Sequence, residues 1–391
     1  MKKSILKSSV SVILILTIIL SLIFVFNSLS KNVNRTREGI ISNQEIENLD
    51  NSVSNTFLKY KSLSTDEKRI YKNMLSAINK FENYYCSKNE LGENTKEKIN
   101  DIFNDCILLD FPQIFWVSDS IEISNYDDAG TIQTEFDYLF SYEEAKVYNK
   151  EVNSFKNNVL QQADFNDDTS QYDRALWCYE WILKNIELNS DDAAINNTIW
   201  SPIIKNTANS ASASKLYQYL MKCFGIDSSL IFATDKISNQ PITLNIVNID
   251  EDYSFIDIFS SYSDGSILYS YFGESKKSLS GRLTVSEKSA DLSQLCNNED
   301  LQFLIHKNLM ITDVEGELIE KIKMSASYDM KPIQIRFSDD AALQNAVNIL
   351  EDKNTLANVF KEIENTGCIV NYQRIQIIIP SSIPNTLYVY Y

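Results

Sequence analysis

Side chains able to do acid, base or nucleophilic chemistry near neutral pH are scarce in this chain. Among 391 residues there is one histidine, His306. Imidazole is the side chain whose ordinary pKa lies near 7 and whose nitrogen ligates zinc well, so a single copy narrows the chemistry on offer. The six cysteines, Cys86, Cys106, Cys178, Cys223, Cys296 and Cys368, lie far apart and none forms a Cys-x-x-Cys pair. A disulfide framework is therefore not indicated, although an isolated bridge is compatible with them. Cys178 falls in a helix-patterned run with Ala175, Tyr179 and Ile182, and Cys223 follows Leu216 and Leu220 at helical spacing, so both read as small core residues. Carboxylates are dispersed without a metal cage, and neither a metal nor a cofactor is expected. What remains is Ser210, opening the run Ser210 to Ile226 (SASASKLYQYLMKCFGI), and Asp257 in the alternating run Tyr253 to Phe259. Small residues at a helix start allow close backbone approach, and the free N–H groups there favour a developing anion. The plainer reading of the same run is packing.

The elements that must position these residues are legible from capping and periodicity. Ser64-Thr65-Asp66-Glu67 is a capping box opening a helix to about Tyr84. Asn94-Thr95-Lys96-Glu97 opens a second, which stops before Pro112, and Ile114 to Val117 then reads as a buried strand. Asp127-Asp128-Ala129-Gly130 makes a hairpin of Ile121 to Phe140. Ser141-Tyr142-Glu143-Glu144 caps a helix to about Gln162, and another helix runs from about Ser170 to Asn185. The helix beginning near Ser210 ends at Gly225. Beyond it the period switches to alternation, and Ser229 to Thr234, Ile242 to Ile249 and Tyr253 to Phe259 read as strands of an antiparallel sheet. Leu301 to Met324, carrying His306, is helix-compatible. From Pro332 a further unit follows, with a strand (Ile333 to Phe337), two short helices, and a hairpin of Arg374 to Ile379 with Leu387 to Tyr391.

The N-terminus is of another kind. After Lys2, Lys3 and Lys7 an uncharged run extends from Ser8 to Ser30, with its apolar heart from Val10 to Phe26. That heart exceeds the roughly 7 to 15 residues of a signal-peptide core and reaches the short end of the roughly 17 to 25 that span a bilayer. A retained single-pass anchor is favoured, and a signal peptide cleaved near Ser28-Leu29-Ser30 is the alternative. Both export the bulk of the chain, and with no cysteine before Cys86 a lipid-modified N-terminus is disfavoured. The formal net charge of −17 repels nucleic acid and anionic polymers. Nucleic-acid binding is excluded on that ground, and the acidity reads as a solvated surface.

The order of these elements resembles the transglutaminase-like family, whose papain-related core carries a cysteine at a helix start, a histidine on a following strand and an aspartate on the next. Its helix motif, Cys-x-Gly-Tyr/Phe-Ala/Ser running to Gly-Ile, is similar to Ser210 to Ile226, with Ser210 at the cysteine position and Ser212 replacing the glycine. Its strand motif, His-Ala/Ser-Trp-Asn-x-Val, resembles Ile242-Thr243-Leu244-Asn245-Ile246-Val247, so Ile242 takes the histidine position while Asn245 matches. Asp257 falls at the aspartate, and Tyr271-Phe272-Gly273 resembles the aromatic run after it. Upstream, Phe111 to Val117 (FPQIFWV) and Tyr172 to Asn185 resemble segments that precede the core in bacterial members.

The resemblance implies an α+β protein with a transglutaminase-like (papain-like) core of a helix followed by antiparallel sheet. The expected layout is an N-terminal anchor or signal at 1–30, a stalk at 31–63, an α+β extension at 64–165, the core at 166–325 and a small C-terminal α/β unit at 326–391. It also implies a loss. The family's thiolate is replaced by Ser210, inert without a base, and the base by Ile242, which accepts no proton. Removing the nucleophile or base of a comparable triad lowers turnover on the order of a million-fold. Ser210, Ile242 and Asp257 are thus expected as vestigial positions of a pseudoenzyme acting as a binding or scaffolding module, held to the membrane by its N-terminal helix and engaging a peptide, protein or cell-wall ligand. Two alternatives stand beside it. One is a Ser210-dependent hydrolase or acyl transferase using Asp257 and a folded-back His306, and the other is a structural subunit of a membrane complex that docks through its C-terminal unit.

Overall fold

The structure, a computed structural model, describes residues 37–391 apart from 43–45, 47–48, 50–57, 89–90, 93, 127–129, 264, 329, 366–369 and 371–374. The expected anchor at 1–30 lies outside the described residues, among which no helix is long and apolar enough to cross a membrane.

Helix α1 (Thr65–Asn79) starts where expected. Ser64 accepts from the Glu67 N–H while the Glu67 side chain reaches back to the Ser64 N–H, which satisfies two otherwise orphaned donors. Ile70, Met74, Leu75 and Ile78 form its buried face. Strand β1 (Tyr84–Lys88) follows, then helix α2 (Thr95–Asp101), which widens into a π-helical stretch, Ile102–Ile107. The helix expected to open at Asn94 starts at Thr95, although Asn94 stands in the left-handed region and makes no side-chain cap. Nor is Ile114 to Val117 a strand. Beyond Pro112 the chain makes tight turns, with Ile114 N–H donating to Phe111 and Phe115 N–H to Gln113, which bury Phe115 and Trp116 without extended pairing. The strand proper, β2, is Val117–Asn125, and it pairs with β3 (Thr131–Tyr138) in the antiparallel order β1-β3-β2.

The segment expected as a stalk is stitched to this extension from its first described residues. Asn79 Oδ1 accepts from the Ile41 N–H at 2.7 Å and Asn79 Nδ2 donates to the Ile41 carbonyl at 2.9 Å. Tyr142 donates to Glu38 O, Arg37 to Phe81 O, and Ile41, Ile46 and Leu49 are buried. The apolar residues among the polar ones supply the reason: each removes surface from water only by docking.

Helix α3 (Tyr142–Ala163) carries the second capping box, Ser141 with Glu144, and α4 (Gln171–Asn185) is capped by Ser170. Helix α5 (Ser210–Cys223) starts one residue after its cap, Asn209, whose side chain accepts from the Ser212 N–H. Ala213, Leu216, Tyr217, Leu220 and Met221 are fully buried; at three- and four-residue spacing they pack one stripe of α5 against α4 and the sheet. Burying a Leu side chain contributes about 1.5 to 3 kcal/mol, so Leu216 and Leu220 anchor the helix strongly.

The sheet is five-stranded and antiparallel: β4 (Ser228–Asp235), β5 (Pro241–Ile249), β6 (Asp252–Ile256), β7 (Phe272–Glu274) and β8 (Leu283–Val285) lie in the order β7-β6-β5-β4-β8. One face meets α4 and α5 through Val247, Ile256 and Phe272. The other gathers Ile231, Leu244, Ile246, Phe255, Leu279 and Leu283, with Ile242 against them. Gly273, in the left-handed region, passes so close to the Leu301 carbonyl that a Cβ would stand 2.0 Å from its oxygen, which excludes any other residue.

Leu301 to Met324 is not one helix. It divides into Phe303–His306, strand β9 (Met310–Ile311) and helix α6 (Val314–Ser327). Helix α6 packs with the C-terminal sheet, in which β9, β10 (Ile333–Phe337), β12 (Thr386–Tyr390) and β11 (Gln376–Ile378) are neighbours in that order, covered also by α7 (Asp340–Glu351) and α8 (Lys353–Glu364). The whole is a mixed α+β architecture.

Candidate functional site

Ser210 is the first residue of α5 and is half-buried. Its hydroxyl donates to the Thr243 carbonyl at 2.9 Å and accepts from the Thr243 N–H at 2.9 Å. Pairing explains why those groups await it. Phe232, opposite Thr243 across β4 and β5, bonds outward, its N–H to Ser289 Oγ and its carbonyl to the Ser286 N–H. Thr243 therefore turns its own N–H and carbonyl toward β6, whose pairing ends at Asn245 with Ile256. Where β6 stops, Ser210 supplies both missing bonds. Ser214, one turn further along α5, adds a second donor to the same carbonyl at 2.7 Å, and Asn245 Nδ2 donates to Ser214 O at 3.0 Å. The helix start is thus sewn to β5 by two serines and one asparagine.

Ile242 is next to the residue Ser210 touches, and its side chain packs with Leu244 and Phe255 on the far face of the sheet. Asp257 lies just past the end of β6 and is fully buried. Its Oδ2 accepts from Arg282 Nη1 at 2.7 Å and its Oδ1 from the Ser260 N–H at 3.0 Å. Arg282 also pairs with Glu274, itself fully buried, and its guanidinium lies 4.8 Å from the centre of the Tyr271 ring. Burial would weaken Arg282's hold on its proton, but Glu274 and Asp257 outweigh that and tighten it. The partner of the buried aspartate is thus a cation that never yields a proton at any working pH. Among the described residues the Ser210 hydroxyl and the Asp257 carboxylate share no hydrogen bond.

His306 ends its short helix stacked on Tyr172, ring centres 3.7 Å apart. Tyr172 lies one turn before Ala175, whose carbonyl accepts from Tyr217, two turns down α5 from Ser210. Burial and then Lys307 lower its pKa, favouring neutral imidazole. Cys223 closes α5 at the opposite end from Ser210. Cys106, Cys178 and Cys296 are free thiols, and burial raises the Cys178 and Cys296 pKa values. Among the described residues no group of three or more His, Cys, Asp or Glu could hold a metal.

The sequence reading passed over Arg282, Glu274, Ser214 and Thr243. A signal for the first existed: a carboxylate on a buried strand demands a cation, and Arg282 is the single arginine between Arg174 and Arg336. Beside the Ser210 seam a groove of about 380 Å³ opens along Ala211, Lys215, Phe232 and Thr243, its other wall made by Asn104 and Leu108 of the N-terminal extension.

No family model matches the chain, and no curated protein matches it. Solved structures resemble it in part. One, from Cytophaga hutchinsonii and described as a cysteine protease, is 12% identical, with a TM-score of 0.25, covering 36% of this chain and 61% of that one. A TGase is 8% identical, with a TM-score of 0.27, covering 46% and 52%. A chain from Parabacteroides distasonis described as a protease is 11% identical, with a TM-score of 0.22, covering 40% and 38%. The chain spans less than two thirds of each of these structures.

Proposed function

We propose that this protein is an extracytoplasmic binding or scaffolding module, anchored in the membrane by its N-terminal apolar run and built on a transglutaminase-like core that has lost its chemistry. The carrying observation is what became of the three vestigial positions. Ser210 is occupied on both sides by the Thr243 backbone, the residue at the histidine position is the apolar Ile242, and Asp257 is locked to Arg282. A serine nucleophile needs a base to take its proton and a free trajectory toward a carbonyl. Here the hydroxyl proton already goes to a backbone oxygen and no imidazole is hydrogen-bonded to it. The groove alongside supplies a concave surface with apolar walls and polar amides, the character of a binding cleft.

The test uses the full-length chain purified in detergent. A fluorophosphonate probe and a panel of peptide ester, amide and amine-acceptor substrates should yield neither labelling nor turnover that depends on Ser210. Turnover that Ser210→Ala abolishes would overturn the pseudoenzyme reading. For the membrane part, the chain should stay with the membrane fraction after alkaline carbonate washing, and removal of residues 1–30 should release it.

A further inference from the structure

The groove beside α5 holds a cation that the fold itself does not use. Lys215 rises from the second turn of α5, half-buried, and among the described residues its ammonium makes no hydrogen bond or ion pair. The carboxylates around it do not answer this. Asp105 is taken by Lys288, at 2.6 Å, and Lys288 also reaches Asp101 at 3.4 Å. Asp119 is exposed to water and attracts Lys215 without reaching ion-pair distance. A charge drawn partly out of water without a partner is a standing penalty to the folded state, and burial accordingly loosens Lys215's hold on its proton.

The surroundings say what kind of anion would relieve it. Phe232 gives the groove an apolar wall. Three amides border it, Asn100, Asn104 and Asn197. Asn197 accepts through Oδ1 from Asn209, and Asn104 donates through Nδ2 to Asn100 Oδ1, leaving the Asn197 Nδ2, the Asn100 Nδ2 and the Asn104 Oδ1 without protein partners among the described residues. Two donors and one acceptor at the rim suit a peptide main chain, which offers the complement of both. A dianionic phosphate would meet Asp105 and Asp119 with only one uncommitted cation, whereas a single carboxylate is matched by it.

We infer that this groove binds a short peptide and that the Lys215 ammonium receives one of its carboxylates. The inference rests on the binding-module reading and names the class of ligand for that same cleft. At about 380 Å³ the groove lies at the small end of the roughly 300 to 1,000 Å³ of ligand sites, which limits the contacting part to a few residues.

The full-length chain in detergent is incubated with three hexapeptide libraries: free C-termini without Asp or Glu, amidated C-termini with Asp or Glu, and amidated C-termini without either. Retained peptides are identified by mass spectrometry and their affinities measured by calorimetry. Carboxylate-bearing peptides should be retained. Lys215→Met should weaken them 10-fold or more, Lys215→Arg should largely restore them, and Asn104→Trp, which fills the groove, should abolish binding. Retention from the first library alone marks a C-terminal carboxylate, and from the second alone a side-chain carboxylate; either supports the inference. Retention of the neutral amides as strong as of the acids, or acid binding indifferent to Lys215→Met and Asn104→Trp, would overturn the carboxylate role and leave the binding-module reading standing. No retention from any library would overturn both.

Discussion

Replacing Arg282 by Met is the sharpest test of whether Asp257 is structural. The guanidinium holds two fully buried carboxylates, Asp257 at 2.7 Å and Glu274. Met keeps the length and apolar stem of the side chain but leaves two anions facing each other in a dry interior. Removing one partner from a buried ion pair destabilises by about 3 to 5 kcal/mol; this variant also introduces like-charge repulsion, so the upper half of that range is expected near pH 7.5. Against a total stability of about 5 to 15 kcal/mol this is a large fraction, equivalent to a fall in melting temperature of roughly 5 to 6 °C. The pH dependence carries a sign of its own. In the variant one carboxylate keeps its proton, so its folded pKa lies above its unfolded value of about 4. A group of that kind contributes stability that is complete below about pH 4 and lost as pH rises through the folded pKa. The gap between native protein and variant should therefore narrow between pH 7.5 and pH 5. Urea unfolding followed by circular dichroism at three pH values measures it. A loss below about 1 kcal/mol at pH 7.5, or a gap that widens on acidification, would refute the reasoning.

Other outcomes follow from individual contacts. Ser210→Ala leaves the Thr243 N–H without a partner and should lower stability by about 1 to 2 kcal/mol in urea unfolding; a change under about 0.5 kcal/mol, the scale of an ordinary surface substitution, would contradict the structural role given to the hydroxyl. Asp110, buried and bonded to Tyr71 and the Tyr60 N–H, has its pKa pushed up to about 7, chiefly by burial. The stability linked to it is full below about pH 4 and lost as pH rises through 7, on the order of 4 kcal/mol, and Asp110→Asn should flatten that slope. Parallel pH curves for the two proteins would exclude it. Asn79→Ala removes both bonds to Ile41 and should speed proteolytic nicking of residues 37–42 on the order of 10-fold or more, as local opening becomes easier.

What the sequence disclosed was whatever its neighbours along the chain decide. The boxes at Ser64 and Ser141 formed as expected because the capping serine and the glutamate three residues on meet through one turn of their own helix. The period change after Gly225 fell at its place because alternation is read by a face, not by a partner. Long-range geometry stayed hidden. Phe111 to Val117 has the composition of a strand, yet the Pro112 turns and the burial of Trp116 against Ile78 and Phe81 took precedence over pairing. Leu301 to Met324 looks helix-compatible throughout, but Met310–Ile311 finds a parallel partner in β10 and breaks the run.

The candidate site divides along the same line. Ser210 at a helix start and Asp257 after a strand were readable, since both are matters of local order. That Ser210 would fill the bonding gap left where β6 ends depends on the register of β4, β5 and β6 together, and no single segment encodes it. The fate of Asp257 turned on Arg282, 25 residues further along. A carboxylate kept dry must find a proton or a cation, and here the cation is Arg282. The buried Asp257 charge fixes the loop after β6. Ser261 bonds to the Asp257 carbonyl, and on that loop Tyr269 N–H and Tyr271 Oη meet Gln334 and Ser382 of the C-terminal unit. The pair of Arg282 with Asp257 and the contacts of Tyr269 and Tyr271 thus tie one loop both to the five-stranded sheet and to the C-terminal unit.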